Sequence, residues 1–276
     1  DRSRGLGDVY KRQDSIWSVS GNNKLTDQSP IKLTWTNDQG ITFEKEIALD
    51  DKFLFTIKQR VINNSDKEYD FYSYGQIIRN KIPDDLSDFY ILHTGYLSVL
   101  DSELYEEDYD DIQEQKFTKI SQKGWLGISD KFWLTSLIPS KGKEFKTTFD
   151  YKNKFRANFV ATEPLELGKN SSIEDTLQII VAAKRVDVID QYEETLKIEK
   201  FDLAIDWGIL YWITRPLFTA IDYFFKIFGN YGLAIIAVTV CIRIAFFPLA
   251  NFSFRSMAKM KACLLYTSPS PRDRSI

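Results

Sequence analysis

A single arginine, Arg243, interrupts an otherwise apolar run, Tyr231–Leu249 (YGLAIIAVTVCIRIAFFPL). A charged side chain in mid-bilayer costs about 2.5–3.5 kcal/mol on insertion scales, so it is tolerated chiefly where it has a polar partner or a wet cavity to face. The chemistry on offer is electrostatic, because a fixed cation in low-dielectric surroundings attracts a carboxylate far more strongly than it would in water. Thr239, one turn before Arg243, and Asn251, two turns after it, extend a polar stripe on the same side of a helix. The competing reading is a snorkelling arginine, with its stem in lipid and its guanidinium at the cytoplasmic headgroups, which needs no such stripe.

Two other groups bear on chemistry. His93, in YILHTGY, is the only histidine of the chain; acid–base catalysis of the kind a strand histidine serves generally needs a second titrating partner, so a structural role is expected. Glu103, Glu106, Glu107, Asp108, Asp110 and Asp111 form an acidic run whose oxygens suit calcium. The run lacks the ordered ligand spacing and turn glycine of a calcium loop, and a solvated loop is expected. Cys241 and Cys263 give neither a disulfide framework nor a metal spacing. With no phosphate-binding glycine loop and no nucleophile beside a base, neither a cofactor nor a catalytic residue is expected.

The elements that must position these groups fall into two parts. From about Ser15 to Arg185, short runs rich in Phe, Tyr, Ile, Val and Thr are separated by Asn, Asp, Gly, Ser or Pro clusters. Strands are expected at Ile31–Thr36, Ile41–Leu49, Phe53–Ile62, Tyr69–Arg79, Phe89–Leu100, Trp125–Ile138, Phe145–Ala161 and Thr176–Lys184, which is the pattern of an antiparallel sandwich. In the third run Phe53, Phe55 and Ile57 are expected on one face, with Lys58 and Arg60 on a wet one. Arg185–Lys200 changes to a helical period, with Val186, Ile189, Tyr192 and Leu196 on one face. A hydrophobic content of 43% is ample for a core, and a net charge of -3 gives no basic field for nucleic acid, which is excluded as a partner.

Phe201–Gly229 is apolar yet carries Asp202, Asp206, Arg215, Asp222 and Lys226, and Pro216 divides it. Two short helices with aromatic faces are expected, lying in the membrane interface with Trp207, Tyr211 and Trp212 at headgroup level; a second crossing and an ordinary buried helix are the alternatives, which the recurring charges suit less well. After the Gly229-Asn230 turn, a span of about 19 residues at about 1.5 Å each reaches about 28 Å, one crossing of the hydrocarbon layer. Arg255, Lys259 and Lys261 follow it; by the positive-inside rule the C-terminal flank is cytoplasmic and the β-domain is outside, in a bacterium the periplasm.

The order of a large β-domain, FDLAIDWG, an aromatic in-plane helix, GNYGLAII, an apolar span with IR before FPLA, and then SMAKMKA resembles the YidC/Oxa/Alb family of membrane-protein insertases, in particular its bacterial branch with a large periplasmic domain. GWLGISDKFW at Gly124–Trp133 and AAKRVDVIDQY at Ala182–Tyr192 resemble that branch too. The resemblance covers about Ile31–Ala262. It implies a mainly β periplasmic domain, a β-supersandwich, followed by an α-helical membrane segment, and a core of five transmembrane helices around a hydrophilic groove. Arg243 matches the groove's positive residue, with Thr239 and Asn251 beside it as substrate-contacting residues. Implied partners are nascent membrane proteins and the lipid bilayer, with the Sec translocon and the ribosome as further candidates. The implied location is the bacterial inner membrane, with 14–197 in the periplasm and residues after 251 in the cytoplasm.

The expected organisation is a sandwich with its closing helix over 14–197, an interfacial helix over 201–229, a transmembrane helix over 230–250 and the start of a cytoplasmic region over 251–262. Residues 1–13 (DRSRGLGDVYKRQ) and 263–276 (CLLYTSPSPRDRSI) break the patterns beside them and resemble translated sequencing-adapter sequence, so both are expected to be foreign. The chain is accordingly expected to be a fragment lacking the family's N-terminal anchor, cytoplasmic hairpin and remaining core helices. The β-supersandwich is also the fold of aldose epimerases, so the rival reading is a membrane-tethered carbohydrate-binding or mutarotase-like domain, with an inert periplasmic scaffold as a third.

Overall fold

The computed structural model describes residues 15–21, 23–83, 93–208 and 210–267, the last few of these by their backbone. Of the termini expected to be foreign, 1–13 and residues 268–276 of the 263–276 segment lie outside the described residues, as does the start of the expected Phe89–Leu100 strand; 263–267 continue the last helix of the chain. The chain divides into two units, the first ending at Asp206 and the second beginning at Trp207.

The strands of the first unit are β1 (Ser18–Ser20), β2 (Ile31–Thr36), β3 (Ile41–Leu49), β4 (Leu54–Asn63), β5 (Tyr69–Phe71), β6 (Tyr74–Arg79), β7 (Gly95–Leu100), β8 (Glu103–Glu107), β9 (Phe117–Ser121), β10 (Gly124–Ser129), β11 (Trp133–Ile138), β12 (Phe145–Tyr151), β13 (Phe155–Ala161), β14 (Leu165–Leu167) and β15 (Ser172–Ala183). Its helices are α1 (Tyr109–Glu114) and α2 (Val186–Leu196), with a 3-10 turn at Phe201–Ala204. Among the described residues they form a nine-stranded sheet in the order β1-β2-β3-β4-β15-β11-β10-β7-β8, a four-stranded sheet β6-β13-β12-β9 and a small pair β14-β5. Every pairing is antiparallel, as a chain of short strands joined by turns demands.

The sandwich closes where Tyr96, Leu126, Leu137 and Leu177 of the large sheet meet Phe145, Phe149, Phe155 and Phe159 of the four-stranded one. Tyr96 stacks on Phe149 with ring centroids 4.8 Å apart. The opposite face of the large sheet is covered as well: Leu97, Val99, Trp125, Leu134, Ile180 and Ala182 lie under Val188, Ile189 and Tyr192 of α2 and under Ile198, Phe201 and Ala204 beyond it. With both faces dry, β7 is buried along its whole length and loses the apolar–polar alternation of a half-wet strand. Gly124 opens β10 at φ +133°, where a Cβ would stand 1.9 Å from the Val99 carbonyl oxygen, so only glycine lets the two strands approach.

Three expectations need correction. Phe53 is not on the buried face of β4: it sits at φ 68° in the preceding turn and is 58% exposed, while Leu54 carries the strand into the core beside α2. The turn conformation, set by Asp50 accepting hydrogen bonds from the backbone N–H groups of Lys52 and Leu54, takes Phe53 out of the strand, while Phe55 and Ile57 stay half-buried and Lys58 and Arg60 exposed as expected. The runs at Trp125–Ile138, Phe145–Ala161 and Tyr69–Arg79 are each two strands, because Asp130–Phe132, Lys152–Lys154 and Tyr72–Ser73 interrupt them. Phe201–Gly229 is not two short helices: Phe201–Ala204 belongs to the sandwich core, with Phe201 edge-on to Trp125 at 5.1 Å, and α3 (Tyr211–Phe228) runs unbroken through Pro216. Proline forfeits one intrahelical hydrogen bond there, to the Trp212 carbonyl, a loss that a helix packed along a neighbour withstands.

In the second unit α3 ends at Gly229, whose left-handed φ of 66° lets its N–H close on the Phe225 carbonyl. Asn230 then caps α4 (Tyr231–Thr267), its Oδ1 accepting from Leu233 N at 3.2 Å. The two helices pack side by side, with Phe225 stacked on Tyr231 at 3.9 Å and Ala234 and Val238 buried. One continuous helix thus carries both the apolar span and the basic flank that follows it, with Pro248 inside it.

Candidate functional site: a polar stripe on the membrane helix

Tyr231–Lys261 is the stretch of α4 long and apolar enough to cross a bilayer. At about 100° per residue, the face that packs on α3, marked by Ala234 and Val238, lies about 180° and 140° around the helix from Arg243. Arg243 is exposed, and so are Thr239 and most of the apolar residues of this span. Thr239 and Asn251 lie within an arc of about 120° that includes Arg243 and turns away from α3. Thr239 donates to the Ile235 carbonyl at 2.8 Å, which satisfies the hydroxyl within its own helix. Pro248 has no N–H to give the Ile244 carbonyl, so that acceptor, next to Arg243, is released from the helical ladder. The stripe therefore joins a fixed cation, a carbonyl freed from its helix and an amide side chain, all on the face that α3 does not cover.

The aromatic cluster splits. Trp207 and Tyr211 are half-buried against Arg215, whose guanidinium carbon lies 6.0 Å from the Trp207 ring and 5.7 Å from the Tyr211 ring and which donates to the Tyr211 hydroxyl. Phe218 closes the other side of Trp207 at 5.7 Å. Trp212, by contrast, is 86% exposed. Sequence reasoning found the rings and missed Arg215 as their organiser, although its i, i+4 spacing from Tyr211 was the available signal. Asp222 and Lys226 pair on the same helix at 2.7 Å. With Ile213, Leu217, Phe218, Tyr223 and Ile227 also exposed, α3 presents a surface suited to the boundary between headgroups and acyl chains.

The residues of the first unit that resemble an acid–base site are tied to the backbone and to neighbouring carboxylates. The ring nitrogen Nε2 of His93 is 2.9 Å from the Tyr96 carbonyl oxygen, Nδ1 lies 3.5 Å from Asp108, and the backbone N–H donates to Asp206 at 3.1 Å. Nearby, Arg79 bonds Asp130 at 2.5 Å and lies over the Tyr109 ring, whose hydroxyl burial pushes up to about 12. Lys184 donates to Ser129 at 3.0 Å, and burial lowers its pKa below the usual lysine range. A shallow cavity of about 210 Å3 lies at the other end of the strands, lined by Lys123, Lys141, Phe145, Lys197 and Glu199. His93 is not part of it. The acidic run is not the loop expected: Glu103–Glu107 form β8, and Asp110 and Asp111 lie in the first turn of α1; among the described residues no group of three or more His, Cys, Asp and Glu is placed to hold a metal ion.

A two-sheet sandwich, closed by a helix and continuing into an aromatic helix and a bilayer-length one, defines a membrane-anchored β-sandwich protein. The chain belongs to the YidC family of bacterial inner-membrane proteins: the YidC periplasmic domain family matches residues 3–220 and the 60Kd inner membrane protein family matches residues 223–264. It is 71% identical over 247 residues to a membrane protein insertase YidC of Pelagibacter ubique, covering 90% of this chain and 44% of that protein. It is 41% identical to the one of Rickettsia typhi (90% and 45%) and 38% identical to the one of Brucella suis (90% and 42%). The chain thus spans less than half the length of these relatives. Among solved structures, the galactose mutarotase related enzyme of Lactobacillus acidophilus aligns with a TM-score of 0.45 at 9% identity over 61% of this chain and 72% of that one, too distant to carry an argument.

Proposed function

We propose that this chain supplies the periplasmic domain and the first groove-lining helix of a membrane-protein insertase, and that Arg243 faces the path of the inserting polypeptide. The observation that carries this reading is the placement of Arg243 in an apolar span, exposed and about opposite the face that packs on α3. An uncovered cation at that depth is costly in bare lipid and favourable beside a wet groove. Acidic, hydrophilic segments of a nascent membrane protein would pair transiently with the guanidinium while its apolar segments pass into lipid. No bond is made or broken, so no catalytic residue, cofactor or metal is required. Nascent membrane proteins and the bilayer are the direct partners; the Sec translocon and the ribosome are further ones.

Site-specific photo-crosslinking tests this, with the segment carried in a full-length family member. Crosslinkers at Thr239, Arg243 and Asn251 should capture nascent membrane proteins, while crosslinkers at Ala234 and Val238 should not. Equal capture from both faces, or capture from neither, contradicts the reading.

A further inference from the structure

At one end of the sandwich the second sheet stops short of the first. The odd-numbered face of the large sheet is covered at Leu137, Leu177 and Ile179, and left open at Trp133, Val181 and Phe53. The register makes these three neighbours: Val181 donates its N–H to the Phe53 carbonyl at 3.2 Å, and Trp133 pairs with Ala183, two residues from Val181 on the adjacent strand. Phe132 precedes Trp133 in the β10–β11 turn, and Lys131 holds its ammonium 5.2 Å from the Phe132 ring. Phe132 is 63% and Trp133 is 60% exposed. Large aromatics at the tips of two turns fill no core, and together they make a contiguous exposed patch rather than scattered apolar residues.

The same end is where the chain leaves the sandwich. Lys184, whose N–H donates to the Phe132 carbonyl, is electrostatically coupled to Asp206, and Asp206 is held by the His93 N–H. Trp207, the next residue, opens the aromatic segment that leads to the membrane span. The patch therefore lies at the end of the sandwich from which the chain passes on to the segment that seeks the interface. Its charges are balanced: Asp130 is engaged by Arg79 and Asp187 by Arg185, and Lys52 and Lys131 stand against Asp50 and Asp51. Aromatic rings with a lysine beside them and no net field suit the headgroup layer of a bilayer, where amphipathic rings partition irrespective of lipid charge.

We infer that the Phe53, Phe132, Trp133 and Val181 end of the β-domain docks on the outer-leaflet surface of the membrane that anchors the chain, with these rings at headgroup depth. This inference is independent of insertase activity. The test uses the full chain in liposomes, with Cys241→Ser and Cys263→Ser and one new cysteine carrying an environment-sensitive fluorophore, at Phe53 or Phe132 or, as a control, at the exposed Ile120 of β9. Headgroup-nitroxide lipids should cut emission roughly twofold or more at the first two positions, as insertion to interface depth requires, and leave Ile120 unchanged. The quenching should persist in high salt and vanish when Trp133→Asp is added to the Phe132 probe. Lipid quenching that is equal at all three positions, or absent at Phe53 and Phe132, overturns the inference. So does shielding of those probes that appears only in vesicles containing native membrane proteins, because the occupant is then a protein.

Discussion

Asp175 shows what single residues contribute to this fold. Its carboxylate is nearly buried and accepts from Ser73, from Ser140 at 2.8 Å and from Lys143 at 2.9 Å, tying β15 to the β5–β6 and β11–β12 connections. Asp175→Ala leaves those donors unsatisfied and is expected to cost about 1–3 kcal/mol, with Asp175→Asn losing less because it still accepts a hydroxyl; urea unfolding of the soluble domain measures both. Glu107 is the opposite case. Burial, with Asp111 and Asp108 nearby, raises its folded pKa above the usual 4.5, so the stability it adds is full below the unfolded pKa and lost as pH rises through the folded one. Glu107→Gln should therefore raise the melting temperature at pH 7, and the gain should shrink as pH falls through that window. Arg243 was legible in the sequence because a lone charge stands out in an apolar run. Asp175 was not, since Ser73 is 102 residues away and no local pattern brings it near.

At the level of elements, strand positions could be read from composition and turn residues, whereas what covers each face could not. Which strands have both faces covered could not be read, because the layer above the central ones, α2 and the 3-10 turn at Phe201–Ala204, is distant in sequence. Phe201, fully buried edge-on to Trp125, looked like part of the membrane segment because its neighbours are apolar too. A domain ending at Asp206 should fold cooperatively and stay soluble without detergent. One ending at Leu196 loses Ile198, Phe201 and Ala204 from the core and uncovers Trp125, which at about 1.5–3 kcal/mol per large apolar side chain should lower its stability by several kcal/mol. Equal melting temperatures for the two would show that the 3-10 turn is not part of the core. Pro216 was misread for a related reason: the rule that proline starts helices is local, and the packing of α3 along α4 overrides it.

For the whole molecule, the mainly β domain followed by an α-helical membrane segment was evident from the order of the pieces, and membership of the YidC family agrees with it. The proposed mechanism rests on a single physical asymmetry, a helix with one packed face and one charged, uncovered face. With this segment carried in a full-length family member, Arg243→Ala should slow insertion most for substrates with acidic translocated tails, by roughly tenfold if one ion pair of about 1.4 kcal/mol is lost. Arg243→Lys should retain most of the rate, because the sign of the charge matters more than the geometry of the guanidinium. Insertion rates of acidic-tailed and neutral-tailed substrates, compared between wild type and Arg243→Ala, test this most directly. A selective loss for acidic tails is the predicted result, and equal rates for wild type and variant on both substrates would contradict a groove-facing charge.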